Sequence, residues 1–241
     1  MIHLSLILPL YNEESCLEMS FAAIKRYLDT LRIEYEIILV DDGSTDSTAS
    51  IIKEIVRTTA LARSLGTPEN QGKGSAVRHG VLHAAGKYIV FTDADLAVPV
   101  GYIGACLKQL QAGAPIVIGS RRLPGSSFKI REGFVRQFLG EVFRIFARMS
   151  LGLKVSDITC GLKGFERKTA FDLFSRSKIS RWGYDAEIIF LARKLGYRII
   201  EVPVDWYHSF DSKVSVGIDS LRTLSEICQI YYYYLSKRYK C

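Results

Sequence analysis

Cysteine is scarce and poorly placed for cross-linking: Cys16, Cys106, Cys160, Cys228 and Cys241 are an odd number, widely spaced, with no C-x-x-C pair. That pattern argues against a disulfide framework and a zinc site, and fits a reducing cytoplasm. Long apolar runs are missing too, none approaching the roughly 18 residues needed to cross a bilayer. The first residues enter a strand pattern at once, with no basic segment and apolar signal core ahead of it, so the chain is expected not to span a membrane. No Pro/Gly/Ser-rich linker divides the 241 residues, and 48% hydrophobic content suffices for one substantial core, so residues 1–241 are expected to form a single domain. Basic runs with interleaved stacking aromatics are absent, which discounts nucleic acid as a partner. Negative charge is the minority, 25 Asp and Glu against 32 Lys and Arg for a formal +7, and this favours acidic partners such as anionic headgroups or phosphorylated small substrates.

What is present begins with Tyr88-Ile89-Val90-Phe91-Thr92-Asp93-Ala94-Asp95, an apolar run ending in two carboxylates spaced two apart. On a strand, side chains at i and i+2 share a face about 6–7 Å apart, within reach of one divalent ion and its waters. Asp93 and Asp95 are therefore the candidate metal ligands, for Mg²⁺ or Mn²⁺ on a diphosphate. A second acidic turn, Asp41-Asp42-Gly43-Ser44-Thr45-Asp46, follows the apolar run Tyr35 to Val40 and belongs at the same edge of the same sheet. Either motif alone is also an ordinary way to end a strand or cap a helix. Two acidic strand ends in one crevice point to a nucleotide.

Apolar periodicity predicts strands at 3–9, 35–40, 87–92 and 115–119, and helices at 14–30, 46–58, 72–85 and near 99–112. Such alternation implies a doubly wound, mostly parallel α/β sheet. Ser44, Thr45 or Asp46 can cap the second helix, with Gly43 relieving the turn. Asn70-Gln71-Gly72-Lys73-Gly74-Ser75 opens another helix, where exposed amides and Lys73 are placed to meet a phosphate, although an ordinary Gly-rich helix entry reads the same. The spacing is not that of a Walker A loop.

With Leu8-Pro9-Leu10-Tyr11-Asn12-Glu13-Glu14 ahead of them, these motifs make the sequence resemble the family 2 glycosyltransferases over nearly its whole length. The resemblance implies a GT-A type, Rossmann-like domain binding a nucleotide sugar, with a C-terminal amphipathic helical portion. Residues 1–120 would bind the donor, and 121–241 would serve the acceptor and a membrane surface. Gly119-Ser120-Arg121-Arg122, Asp157 to Phe165, Arg181-Trp182-Gly183-Tyr184-Asp185-Ala186-Glu187, Glu201 to Trp206 and Ser212-Lys213-Val214 follow in an order similar to the polyprenyl-phosphate branch. Asp-Ala-Asp-Leu-Ala-x-Pro at 93–99 resembles its dolichyl-phosphate glucosyl type, since the mannosyl type usually carries Gln where Ala97 stands. UDP-glucose is thus the favoured donor and a polyprenyl phosphate the acceptor.

By the same resemblance, Pro9, Tyr11, Glu13, Asp41 and Asp42 would contact base and ribose, with Lys73 nearby and Ala94 beside the metal pair. Arg121, Arg131 and Lys213 are candidate grips for diphosphate or acceptor phosphate, because Arg forks match phosphate oxygens and Lys supplies a compact charge; a surface ion pair is the plain alternative for each. Asp185 and Glu187 occupy the position of the family's base. A phosphate acceptor needs no deprotonation, so they are expected to orient the sugar or a cation, and Trp182 faces the sugar or the core. A single displacement would invert the anomeric centre.

Residues 134–149 sort by helical periodicity into a polar arc that includes Arg136, Arg144, Ala147 and Arg148, and an apolar side that includes Phe138, Ile145 and Met149. A core-packed helix shows this pattern, and so does one lying in a membrane interface. The aromatic, basic segment 227–240 allows the same two readings, an interfacial foot or a packed helix with a frayed end. The expected location is cytoplasmic and peripheral, at the inner face of a membrane, with a membrane-anchored partner allowed. Transfer to a saccharide hydroxyl and a silent nucleotide-sugar-binding subunit are the alternatives.

Overall fold

Leu4, Leu6, Leu8 and Leu10 alternate with Ser5, Ile7 and Pro9 along β1 (Leu4–Leu10), so one strand feeds two apolar layers. The four leucines pack in one core cluster and Ile7 in the other. In the computed structural model, residues 2–126, 128–129, 145, 147–207 and 218–239 are described. Strand β2 (Tyr35–Asp41) splits in the same way, with Ile37 and Leu39 on the leucine side and Ile38 and Val40 opposite.

Helices α1 (Leu17–Thr30), α2 (Thr48–Thr58) and α4 (Gly101–Gln111) cover the first layer; α1 does so with Leu17, Phe21, Ile24 and Leu28, one helical stripe. Helices α3 (Lys73–His83), α5 (Arg167–Arg176), α6 (Tyr184–Lys194) and α7 (Ile218–Leu235) cover the second. Residues Tyr184 to Ala192 of α6 are buried all round, as befits a helix enclosed by its neighbours.

The main sheet has seven strands in the order β3-β2-β1-β4-β7-β5-β8, where β3 is Ala62–Gly66, β4 Tyr88–Phe91, β5 Ile116–Ser120, β7 Lys163–Glu166 and β8 Ile199–Pro203. Only β7 runs antiparallel to its neighbours. A two-stranded parallel pair joins β6 (Phe128–Lys129) to β9 (Trp206–Tyr207). Because β1, β2 and β4 are parallel and adjacent, the chain leaves all three at one edge, and both acidic turns lie there as the sequence predicts.

All eight predicted elements of the first half are present within one to three residues of their expected ends. Strands β3 and β7 were not predicted. β3 reads Ala-Arg-Ser-Leu-Gly and is an edge strand with little apolar alternation. β7 reads Lys-Gly-Phe-Glu; its glycine is required because a Cβ at Gly164 would run into Cys106 Sγ and Leu110 Cδ1. Much of the predicted 134–149 helix lies outside the described residues. At its end, residues 147–151 are helical, with Ala147 fully buried while Ile145 and Met149 are 45% and 79% exposed. That corrects the predicted arc: here the small residue faces the core and the apolar ones face out.

Candidate active site

Strand β4 stops at Phe91, so Asp93 and Asp95 stand on a turn, not on the strand geometry expected for them. Asp95 Oδ1 accepts the Ala97 N–H at 3.1 Å, the Leu96 N–H donates to the Asp93 carbonyl at 3.3 Å, and Leu96 has a positive φ of 51°. Partial desolvation and then the Asp93 charge raise the Asp95 carboxyl above its ordinary range, with Glu13 adding to them; Ala97 and Lys73 oppose. Gly161 backs Asp93 so tightly that a Cβ there would overlap its carboxylate, with Cγ only 2.7 Å away.

Lys73, the first residue of α3, reaches the turn and places Nζ 2.5 Å from Asp93 Oδ1 and 5.6 Å from the centre of the Trp182 ring. Burial alone would lower its ammonium pKa, but Asp93, Asp185 and Asp95 outweigh it and hold the group charged, above the usual lysine range. The glycines beside it serve the protein itself. A Cβ on Gly72 would meet the Ser180 carbonyl at 2.6 Å, one on Gly74 would meet Tyr184 Cβ at 2.6 Å, and the Gly72 N–H donates to Asp42. Of the expected phosphate cradle, Lys73 is the part that faces the site.

Asp42 is 2% exposed and accepts hydrogen bonds from Gly72 N (2.7 Å), Gln71 N (2.9 Å), Asn70 Nδ2 (3.0 Å) and Thr67 Oγ1 (3.3 Å). Its carboxylate ties down the turn that carries Lys73. Asp41 accepts the Ser44 N–H at 3.0 Å and keeps a half-buried place at the edge beside Pro9, Tyr11 and Glu13. The β1 and β2 turns are cross-tied: Asn12 N–H to Ser44 Oγ (3.0 Å), Thr45 N–H to Asn12 Oδ1 (2.7 Å) and Glu13 N–H to Thr48 Oγ1 (2.7 Å). Ser44 and Thr45 make these ties instead of capping α2, whose Thr48 N–H is met by Asp46 Oδ1 at 2.9 Å.

Asp185 arrives from the first turn of α6 and pairs with Lys163 Nζ at 2.5 Å. Lys163 is 1% exposed and also donates to the Cys160 carbonyl at 2.7 Å. The antiparallel direction of β7 puts this lysine opposite Phe91, at the active edge. Burial pushes the Asp185 carboxyl up while Lys163 and Lys73 pull it back. Tyr184 is buried, and burial followed by the Asp185 and Asp93 charges raises its phenol well above the usual range. Lys163 and Tyr184 were not singled out as site residues; a lysine between Leu162 and Gly164-Phe165 was the available signal.

Two expected site residues are occupied elsewhere. Glu187 is fully buried and accepts from Lys178 N (2.8 Å), Ile179 N (3.0 Å) and the Tyr239 hydroxyl (2.7 Å). Arg121, expected to grip phosphate, forks onto buried Asp157 with Nε at 2.7 Å and Nη2 at 2.9 Å, and stacks 5.7 Å from the Trp206 ring centre. Glu201 in turn accepts the Ser156 and Asp157 N–H groups. Arg131 and Lys213 lie outside the described residues. Among the described residues no group of three His, Cys, Asp or Glu forms a closed metal cage, and no helix is long and apolar enough to cross a membrane.

The sequence profile of Glycosyl transferase family 2 matches residues 5–174, from β1 into α5. The chain belongs to this family. A dolichyl-phosphate beta-glucosyltransferase of Dictyostelium discoideum is 35% identical over 97% of this chain and 75% of its own length. One from Saccharomyces cerevisiae is 31% identical over 99% and 77%. Among solved structures, glucosyl-3-phosphoglycerate synthase of Mycobacterium tuberculosis, in complex with Mn²⁺, UDP-glucose and phosphoglyceric acid, superposes with a TM-score of 0.71 at 21% identity, covering 95% of this chain and 79% of that one. The fold of this family 2 glycosyltransferase is therefore GT-A-like, with the Asp93/Asp95 turn at the carboxyl edge of its parallel strands, where nucleotides bind in such sheets.

Proposed function

We propose that this glycosyltransferase moves glucose from UDP-glucose to a polyprenyl phosphate, inverting the anomeric centre, as a peripheral protein at the cytoplasmic face of a membrane. The observation that carries the reading is the β4 turn, where Asp93 and Asp95 stand beside Lys73 and Asp185, in a chain whose relatives over nearly its whole length include dolichyl-phosphate beta-glucosyltransferases. Two mutually repelling carboxylates are hard oxygen donors that suit Mg²⁺ or Mn²⁺, ions that take one or two protein carboxylates and fill their remaining positions with phosphate oxygens and water. When bound, the ion offsets the charge developing on the departing UDP.

The chain's own residues do the rest. Pro9, Tyr11, Glu13 and Asp41 line the edge assigned to base and ribose, and Asp42 acts behind them by fixing the turn that carries Lys73. Lys73 presents an ammonium to the diphosphate, and Trp182 lies beside it against the sugar. A phosphate oxygen of the acceptor bonds to the anomeric carbon as the bond to the diphosphate oxygen breaks, and the electron pair leaves with UDP. No proton has to be removed, so Asp185, braced by Lys163, orients the sugar and Lys73 without serving as a base. Arg131 and Lys213 are assigned to the acceptor phosphate. Exposed Ile145 and Met149, with Tyr231, Tyr232 and Leu235 on α7, support a seat in the lipid interface.

Acceptor class and stereochemistry test the proposal. Offered UDP-glucose with polyprenyl phosphate or with soluble saccharides, the protein is expected to glucosylate the lipid phosphate alone, and NMR of the product should show a β-linked glucosyl phosphate. An α-linked product, or transfer confined to sugar hydroxyls, contradicts it.

A further inference from the structure

Resting on that reading of the β4 turn and deepening it, we propose that Lys73 is a resident counter-ion which holds Asp93 while the donor is away and is drawn off by the donor's diphosphate, so that metal ion and nucleotide sugar load together. The pair is built from both sides. Lys73 is fixed at its backbone by the Gly72 N–H bond to Asp42 and by the packing of Gly72 and Gly74 on Ser180, Arg181 and Tyr184. Asp93 is fixed by Gly161, against which its carboxylate lies. What can move is the four-carbon lysine stem, whose ammonium is a compact charge on rotatable bonds.

Each acid in the cluster has its own partner: Asp185 has Lys163, Asp95 has the Ala97 N–H, and Asp93 has Lys73 at 2.5 Å. Asp93, Asp95 and Asp185 outnumber the two ammonium groups, and the Glu13 carboxylate, whose charge also reaches Asp95, adds to the excess of negative charge. A divalent ion arriving alone meets the Lys73 charge on the oxygen it needs, and a diphosphate arriving alone meets three carboxylates. Arriving together they balance each other. Lys73 exchanges a carboxylate oxygen for a phosphate oxygen, and Asp93 Oδ1 is released to the ion. Binding of each then strengthens binding of the other by the same factor.

Mn²⁺ binding, read by the EPR signal of the free ion with and without UDP, tests this in a protein doing no chemistry. Wild-type protein is expected to bind Mn²⁺ weakly alone and more tightly with UDP. Lys73→Met should bind Mn²⁺ alone at least about tenfold tighter, because a like charge some 4 Å from the ion is gone, and UDP should add less than in wild type. Lys73→Arg, which keeps the charge, should resemble wild type. Unchanged Mn²⁺ affinity in Lys73→Met, or wild-type affinity indifferent to UDP, overturns the counter-ion role. Asp95→Ala separates this from the reading beneath it: if that variant holds Mn²⁺ and UDP as wild type does, the metal site itself is wrong. If it loses them while Lys73→Met leaves Mn²⁺ alone unaltered, only the counter-ion fails.

Discussion

Asp42 shows how a single carboxylate can hold the turn beside this site in place. It receives four donors and offers none, so Asp42→Asn turns an amide NH₂ toward N–H groups and leaves at least one buried donor unmet. The variant is expected to lose about 1–3 kcal/mol in urea unfolding, with KM for the donor rising because Lys73 loses its base. Arg121 makes the complementary case. Arg121→Ala strands the buried Asp157 charge and should cost roughly 3–5 kcal/mol, a loss that a merely exposed phosphate grip would not show. Burial pulls the Asp157 carboxyl up, yet Arg121 outweighs it and holds the pKa below the ordinary value; Arg63, Ser5 and Ala85 do the same for Glu36. Both folded-state values are depressed, so their stabilisation is present above the unfolded values, about 3.9 and 4.3, and drains as pH falls through and below them. Urea midpoints should drop below about pH 4, and that acid drop should shrink in Arg121→Ala.

At the scale of elements, the legible parts are those whose patterns repeat. The apolar runs of β1, β2, β4 and β5 and the helical stripes between them announce a doubly wound sheet, and the acids that end β2 and β4 land together because parallel strands finish at one edge. Strand β7 could not be read this way. Four residues with a buried lysine and a glycine carry no period-2 signal, and only the tertiary pairing of Phe91 with Lys163 reveals their function. Burial also divided residues that sequence treated alike: Asp185 faces the site, while Glu187, two residues on, is turned into the core, where Tyr239 ties down the end of α7. Tyr239→Phe should therefore lower stability by about 1 kcal/mol and leave kcat nearly intact. Gly161→Ala should do the reverse, keeping the fold by circular dichroism while cutting kcat through the displaced Asp93 carboxylate.

For the molecule as a whole, the proposed function has a +7 chain meeting two acidic partners, a nucleotide sugar and a lipid phosphate, through a crevice that is itself acidic at its centre. Met149→Glu, far out on an exposed apolar surface, should weaken sedimentation with anionic vesicles without changing turnover of a short acceptor in detergent. The most direct test of the account is a donor comparison. Purified protein, Mg²⁺ or Mn²⁺ and a short polyprenyl phosphate would be offered UDP-glucose, UDP-N-acetylglucosamine and GDP-mannose, with lipid products weighed by mass spectrometry and Asp95→Ala run in parallel. Lipid-linked hexose from UDP-glucose alone, lost in the Asp95 variant, is the predicted result. Lipid product from GDP-mannose in preference, or product that survives Asp95→Ala, would contradict the account.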